Sequence, residues 1–474
     1  MYDRRINLLS VVFYLYKTLK NYFFGFIFLL IWKPILGLIA LMALVTISFV
    51  KYFTYRYSIL DEQILIKHGI FFKKELHIPY DKIQSIQHNQ WFFLKPLNLE
   101  QLVVNTASHS DSKSRIDLQV VSIKVGKFLE TKHLIATGEN SKEITNDNQL
   151  HEPFYQASSR DVNIFAATNF SLVSTIILIF VLITRFFNDS KRLFNDVNQS
   201  LSMYFVILLF IAFILILYVI DFLRTKFKYH NFTLDLNNDN FRISLGLFKR
   251  KTDKIPINKI QNVIFSQNII RRLLGLTTVK VDLINEKSDN DFKNSVLIPF
   301  IDSSLVKSKV GRLFSYTNKN AYNIFKSYKY AFWLFLRNTL FLPIIICILI
   351  ILFRSYFLDN IFWLLISLVT IFSLLMVINV SIKAKNIEVG LINAPHIKGV
   401  ITIKDVRFFN YYTNFIVWDK IQSMEIRQTY FMKKYANIAH LVINIRMGEN
   451  NKEIQCRYLK YDDAQKIMDW YKLT

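Results

Sequence analysis

The sequence predicts an α+β membrane protein in which a transmembrane helix hairpin followed by a small basic β-rich domain occurs three times. Three observations predict it. Apolar stretches of spanning length fall into three pairs, the polar regions after each pair share a short string of residues, and positive charge gathers in those polar regions. Hydrophobic residues make up 52% of the chain, with 43 Phe among them, which is too apolar for an ordinary water-soluble protein.

A spanning helix needs about 20 mainly apolar residues, because it rises 1.5 Å per residue across a hydrocarbon core about 30 Å thick. The runs Ile35–Phe53, Ile164–Phe187, Leu201–Leu223 and Ile361–Val380 meet that length. Ala331–Phe353 also meets it, with Arg337 in its first turns and Pro343 expected to kink it. Tyr22–Trp32 is too short alone. It reaches spanning length when extended back to Phe13, with Lys17 and Lys20 snorkelling toward the interface and Lys33-Pro34 marking the turn. The segments thus pair as hairpins at 13–53, 162–223 and 331–380, and the even number of crossings puts every polar region on one side.

The charge says which side. The chain has 59 Lys+Arg against 35 Asp+Glu, a net +24, yet the proposed outer loops hold only Lys33, Arg185, Lys191, Arg192 and Arg354. At the inner helix ends stand Lys51, Arg56, Arg224, Lys226, Lys228, Lys383 and Lys385. The positive-inside rule therefore predicts a multi-pass membrane protein with its N-terminus and polar domains cytoplasmic. The lipid bilayer and its anionic inner leaflet are the expected partners of so basic a surface, in preference to nucleic acid. The N-terminal segment carries Arg4 and Arg5 but no short apolar core before a small-residue cleavage site, so the first hydrophobic segment is expected to stay. Cys347 and Cys456 cannot build a disulfide framework or a thiolate metal site, which suits a reducing compartment.

The polar regions repeat one another. Asp81-Lys82-Ile83-Gln84, Asn258-Lys259-Ile260-Gln261 and Asp419-Lys420-Ile421-Gln422 align, and a second glutamine follows the first by six residues each time, at Gln90, Gln267 and Gln428. Ile78-Pro79-Tyr80 matches Ile255-Pro256-Ile257 before the string, and Asn98-Leu99 takes the place of Gly275-Leu276 after it. Gly69 and Gly246 lie 12 residues before the Asp or Asn, whereas the third region has Val406-Arg407 where that glycine belongs. Short β-branched and aromatic runs broken by Gly, Pro and Asn predict strands joined by tight turns, with Gly69 and Gly246 in hairpins that favour positive φ. Closing helices are predicted by Ala464, Ile467, Met468 and Tyr471 in the third region and by Val306, Val310 and Leu313 in the second. Thr137–Gln149, rich in Asn, Glu and Lys, reads as a linker. The resulting plan is an N-terminal segment and hairpin 1 over 1–53, domain 1 over 54–130, a linker over 131–160 and hairpin 2 over 161–223. Domain 2 follows over 224–316, a connector and hairpin 3 over 317–380, and a divergent domain 3 over 381–474.

The Gly-aromatic turns, the Ile-Pro-x-[Asp/Asn]-Lys-Ile-Gln string and the run Arg272-Leu273-Leu274-Gly275-Leu276 resemble the bacterial pleckstrin-homology (PH) domain family, specifically the YdbT-like membrane proteins with several such domains. Ser158-Ser159-Arg160-Asp161-Val162 and the order hairpin-then-domain extend the resemblance over nearly the whole chain. It implies a small, partly open β-barrel closed by a C-terminal helix for each domain, and a smaller single-PH-domain membrane protein as a companion. It supplies no activity.

Nor do the residues point to chemistry. The nine histidines show neither a His-Glu-x-x-His helix nor zinc spacing, and the 11 glycines contain no phosphate loop, dinucleotide fingerprint or nucleophile elbow. No catalytic, metal or cofactor site is expected. The repeated carboxylate at Asp81 and Asp419 is Asn258 in the middle region, which cannot serve as an acid or base. The sharper candidates are cations that would contact lipid phosphates or a partner: Lys82, Lys259 and Lys420, against the plainer reading of solvated strand residues. The second region adds Lys249, Arg250, Lys251, Lys254, Arg271 and Arg272, and carries a net +12 over Arg224–Tyr330 against +3 over Lys51–Glu130. Positive-inside bias alone would also place charge there. The expected function is a non-enzymatic scaffold or interaction module at the inner leaflet, with a role in envelope protection or stress. The rival is a component of a transport or export system for a hydrophobic or peptide substrate, disfavoured because no Asp or Glu sits at a helix centre.

Overall fold

A computed structural model of the chain describes residues 4–22, 25–26, 29, 33–69, 72–106, 115–137, 153–169, 199–237, 240–284, 295–356, 359–394, 397–447 and 451–473. One sequence of elements recurs three times within them. In the first repeat, β1 (Arg4–Arg5) precedes α1 (Ser10–Asn21) and α2 (Pro34–Thr54). The strands β2 (Arg56–Ile59), β3 (Gln63–His68) and β4 (Lys74–Pro79) follow, then a 3₁₀ turn at Tyr80–Lys82, β5 (Ile83–Trp91), β6 (Leu99–Thr106), β7 (Arg115–Ser122) and α3 (Ile123–Thr137).

The second repeat runs β8 (Tyr155–Gln156), α4 (Ser159–Thr168), α5 (Gln199–Lys228), β9 (Thr233–Asn237), β10 (Asn240–Leu245) and β11 (Lys249–Pro256). A 3₁₀ turn at Ile257–Lys259 leads to β12 (Ile260–Asn268), the short α6 (Ile269–Leu273), β13 (Leu276–Leu283), β14 (Ser295–Asp302) and α7 (Ser303–Leu313). The third has β15 (Asn323–Lys326), α8 (Ala331–Leu352), α9 (Asp359–Asn386), β16 (Glu388–Ala394), β17 (Ile397–Arg407) and β18 (Asn410–Val417). After the turn at Trp418–Lys420 come β19 (Ile421–Arg427), α10 (Tyr430–Ala436), β20 (Ile438–Arg446), β21 (Asn451–Lys460) and α11 (Tyr461–Leu473).

Among the described residues, three helical stretches are long and apolar enough to cross a membrane: Pro34–Thr54, Ala331–Leu352 and Leu365–Asn386. α8 continues through Pro343 as one helix, and α8 and α9 pack together through Ile350, Phe362, Leu365 and Val369. The fourth apolar run falls on α5. The run Ile164–Phe187 lies outside the described residues beyond Asn169, as does most of Tyr22–Trp32. α1 covers the extension of the latter back to Phe13, and Lys17 there pairs with Asp117 of β7 at 3.3 Å.

The contacts divide the chain into two compact units, one with the described residues of 1–156 and 228–257, the other with those of 157–227, 258–284 and 291–474. In the first unit, β1-β2-β3-β4 form one antiparallel sheet and β7-β6-β5-β11-β10-β9-β8 another. Ile64, Ile66, Ile78, Tyr80, Leu102, Val104, Leu118 and Leu129 share one core, so strands of both sheets and α3 enclose it. In the second unit the sheets are β14-β13-β12-β18-β17-β16-β15 and β19-β20-β21. Its core includes Val389, Leu391, Ile401, Ile416, Leu441, Ile443, Ile454 and Ile467, drawn from both sheets and α11. Each such buried side chain contributes about 1.5–3 kcal/mol, enough to hold sheets of this size against each other.

Among the described residues none of the four sheets closes on itself, so no closed barrel forms. At each repeated string the chain turns a 3₁₀ corner and changes sheet. The backbone groups that a barrel would satisfy by closure are met instead by the next repeat, β5 bonding to β11 and β12 to β18.

The repeated residues serve this geometry. The Gln90, Gln267 and Gln428 side-chain amides each donate to a carbonyl where the following strand begins, at Leu99 (3.4 Å), Leu276 (3.0 Å) and Ile438 (3.0 Å). Asn98, Gly275 and Asn437 hold the left-handed conformation just before that strand, with φ of 52°, 68° and 44°. In the β3–β4 turn, φ at Gly69 is +126°, and an added Cβ would stand 1.9 Å from the Phe72 carbonyl oxygen, which explains the glycine. The third repeat turns instead through Phe408 and Phe409, both at positive φ, with the Phe409 amide donating to Asn379 Oδ1 of α9 at 2.9 Å.

Candidate functional site

The cations singled out by the sequence are not gathered in one place. Lys82, Lys259 and Lys420 each end a sheet-changing corner. Lys82 is exposed and pairs with Asp81 at 3.2 Å, while Lys420 Nζ donates to the Asn258 carbonyl at 3.1 Å. The Lys259 carbonyl accepts from the Ile284 amide, fastening the corner to the end of β13. Lys249, Arg250 and Lys251 lie on β11 opposite Trp91, Gln90 and Asn89. The Lys249 ammonium sits 5.4 Å from the Trp91 ring, and Lys251 pairs with Asp253 at 3.0 Å. Lys254 pairs with Glu130 at 2.5 Å. Burial pushes the Glu130 carboxyl up, but Lys254, with His88 and Arg242, outweighs it and holds the group below the usual range.

Arg271 is corrected outright: it cannot meet a lipid, because it is buried. Its guanidinium donates to Thr168 Oγ1 (2.9 Å), Thr278 Oγ1 (2.9 Å) and the Phe165 carbonyl (3.2 Å), and lies over the Phe165 ring. Asn268 caps α6 and also donates to the Thr168 carbonyl, so this corner of the second repeat is tied to α4. Its neighbour Arg272 is exposed, stacked 4.0 Å from the Tyr411 ring.

Two features outside the sequence candidates stand out. The first is the loop between the first two strands of each second sheet. It exposes Phe92 and Leu97 around Lys95 in the first repeat, Ile270, Leu273 and Leu274 around Arg272 in the second, and Tyr430, Phe431 and Tyr435 around Lys434 in the third. Leu273 is 83% exposed. Apolar and basic side chains mixed on one protrusion match the chemistry of a headgroup layer. Rings of Trp91 and Phe93 lie about 6 Å from Phe13 of α1, so the first of these loops stands beside that helix.

The second is a cleft of about 580 Å³ where α2 ends and the first sheet begins. Tyr55 alone separates Thr54 of α2 from Arg56 of β2, which sets the cleft at the mouth of an apolar helix. Lys17, Lys51 and Lys74 line it with Asp117, beside Tyr55, Ile66 and Phe72. Three ammonium groups face one carboxylate, and that carboxylate is paired with Lys17. The Tyr14 hydroxyl and His68 Nδ1, both on this cleft, are buried without a hydrogen-bond partner among the described residues. Burial, followed by the charge of Lys74, lowers the His68 pKa, so His68 is neutral near pH 7 and offers a polar nitrogen rather than a cation. A cationic rim, apolar walls and unused hydrogen-bonding groups are what a phosphate ester with a lipid tail requires. The sequence hid this site because its lysines are spread over helix, strand and turn 57 residues apart, from Lys17 to Lys74.

Paired helices leading into small two-sheet β domains with a closing helix define a membrane protein with PH-like modules. The sequence profile of the bacterial PH domain matches residues 10–134 and 172–310, more than half of the chain, and the chain belongs to that family. It is also 21% identical over 483 residues to the UPF0699 transmembrane protein YdbT of Bacillus subtilis (strain 168), covering 96% of this chain and 94% of that one. No solved structure matches it.

Proposed function

We propose that this protein is a non-enzymatic membrane scaffold, anchored in a bacterial cell membrane by three helix hairpins, whose PH-like repeats stand on the cytoplasmic face and hold the anionic inner leaflet. The cationic cleft at the end of α2 is the observation that carries this reading. It opens one residue from the end of a helix of spanning length and combines three lysines with two unused polar groups. The exposed apolar and basic loops of all three repeats support it, since they would enter the same layer. Positive charge on the domain side of the helices supports the cytoplasmic orientation. A role in envelope protection follows from a module that ties lipid to a multi-pass assembly, with a single-PH-domain membrane protein as the companion the family implies.

The test is lipid retention by the purified full chain, read by native mass spectrometry with short-chain phosphatidylglycerol and phosphatidylcholine. Each lysine near a lipid surface contributes about 1 kcal/mol, so Lys51→Glu with Lys74→Glu should weaken phosphatidylglycerol binding roughly thirtyfold at the least. Phosphatidylcholine binding should stay unchanged. Equal retention of phosphatidylglycerol by the wild type and the double variant would remove the cleft from the account.

A further inference from the structure

The sheets reveal an asymmetry in an otherwise regular repeat. In each first sheet the last strand is β4, β11 or β18, and in each second sheet the first strand is β5, β12 or β19. β11 is covered by β5, and β18 by β12. Among the described residues nothing pairs with the outer edges of β4 and β19. The other sheet ends are equivalent in all repeats, namely β1, β8 and β15 on one side and β7, β14 and β21 on the other. The two open edges are therefore of the complementary kinds that join to each other inside the chain.

We propose that a second copy of this chain fills them: β19 of one molecule pairs antiparallel with β4 of the next, reproducing the junction between repeats. The register follows from the two junctions present. Lys249 stands opposite Trp91 at the first and Asn410 opposite Asn268 at the second, and these are equivalent positions when the repeated strings are aligned. Thr252 opposite His88 and Thr413 opposite Phe265 agree in the same way. Carried to the open edges, this register sets Phe72 opposite Thr429 and Glu75 opposite Ile426.

Burial agrees with an edge awaiting cover. β12, covered by β18, has no exposed residue, whereas its counterpart β19 exposes Gln422, Glu425 and Arg427. Arg427 is held by Glu425 and Glu453, so this edge presents two carboxylates to one guanidinium. In this register Lys74 of the β4 edge stands opposite Arg427 and diagonal to Glu425, with Lys73 opposite Gln428. An uncovered row of backbone donors and acceptors is a template for another strand, and the chain already uses that template twice within itself. Because the two surfaces differ, the contact is heterologous, and association continues past a dimer unless a ring closes.

Two tagged forms of the full chain test this, both with Cys347→Ser, one carrying Glu75→Cys and the other Ile426→Cys. Opposed Cα atoms in an antiparallel pair lie about 4.5–5.5 Å apart, within reach of a disulfide. Oxidation of membranes containing both forms should give a cross-linked pair with both tags, and neither form alone should cross-link to itself. The mass of the unmodified purified chain, by light scattering, should be two or more times 56.2 kDa. The proposal is overturned by folded protein that gives no mixed cross-link, by self-linking of the Ile426→Cys form, or by a monomer bound only to a different protein.

Discussion

Two adjacent arginines, Arg271 and Arg272, should answer substitution differently, although their sequence context is the same. Arg271→Met keeps most of the side-chain volume but removes four hydrogen bonds, to Thr168, Thr278, the Phe165 carbonyl and, at 3.5 Å, Asn169, and the stack on Phe165. The Thr168 and Thr278 hydroxyls and the Phe165 carbonyl keep other partners, so the loss is that of the charged hydrogen bonds, each of which nets about 1.5–3 kcal/mol. Part of this is offset because the guanidinium no longer has to be desolvated, which leaves about 3 kcal/mol of destabilisation. Arg272→Met removes one exposed stack on Tyr411, worth about 0.5–1 kcal/mol. At about 2–4 °C per kcal/mol, the first variant should melt roughly 6–12 °C below the wild type and the second within about 4 °C of it. Fluorescence-detected thermal melting of the detergent-purified chain reads both. Equal shifts would refute the assignment of Arg271 as the tie between α6 and α4.

Other substitutions follow from the repeat. Gly246→Ala places a Cβ 2.1 Å from the Lys249 carbonyl oxygen at φ +113°, and should cost about 1–3 kcal/mol in the same melting assay. Gln267→Ala should cost more than Gln90→Ala, since Gln267 also donates to Thr277 and Ser303, whereas Gln90 makes one long bond of 3.4 Å. His440 is depressed to about 4 by burial and then by Arg457, and its Nδ1 accepts the Tyr458 amide, so the fold holds it neutral. With the folded pKa below the unfolded one, the unfolded state takes up the proton first, and the third repeat should lose stability as pH falls from about 6.5 toward 4. His440→Gln should flatten that part of the pH profile of melting.

Much of this architecture is visible in the sequence because turns and corners leave local marks. The Asp/Asn-Lys-Ile-Gln string marks the corner between sheets, the second glutamine marks a bond to the next strand, and Gly69 marks a turn that excludes a Cβ. The third repeat looked most divergent because different residues meet the same backbone demands there. Asn437 takes the left-handed position of Gly275 after one inserted residue, and Phe408 and Phe409 replace the glycine turn by leaning on Asn379. The leading strands β1, β8 and β15 have two to four residues, too few to show a period. The ladders between repeats were hidden for another reason. Lys249-Arg250-Lys251 reads as a cationic contact for lipid or a partner, yet its backbone is paired with β5 while its side chains find Trp91 and Asp253. Arg271 and Arg272 carry no local difference at all; only the rotation of about 100° between neighbours on a short helix separates burial from exposure.

The central claim is that the PH-like repeats stand at the inner leaflet, and cysteine accessibility in intact cells tests it most directly. Asp61→Cys, Ser308→Cys and Gln465→Cys, one per repeat at exposed positions away from the cleft, the loops and the open strand edges, are treated with a membrane-impermeant maleimide before and after the cell membrane is opened. The account predicts labelling at all three positions only after opening. Labelling of any of them in intact cells would contradict it.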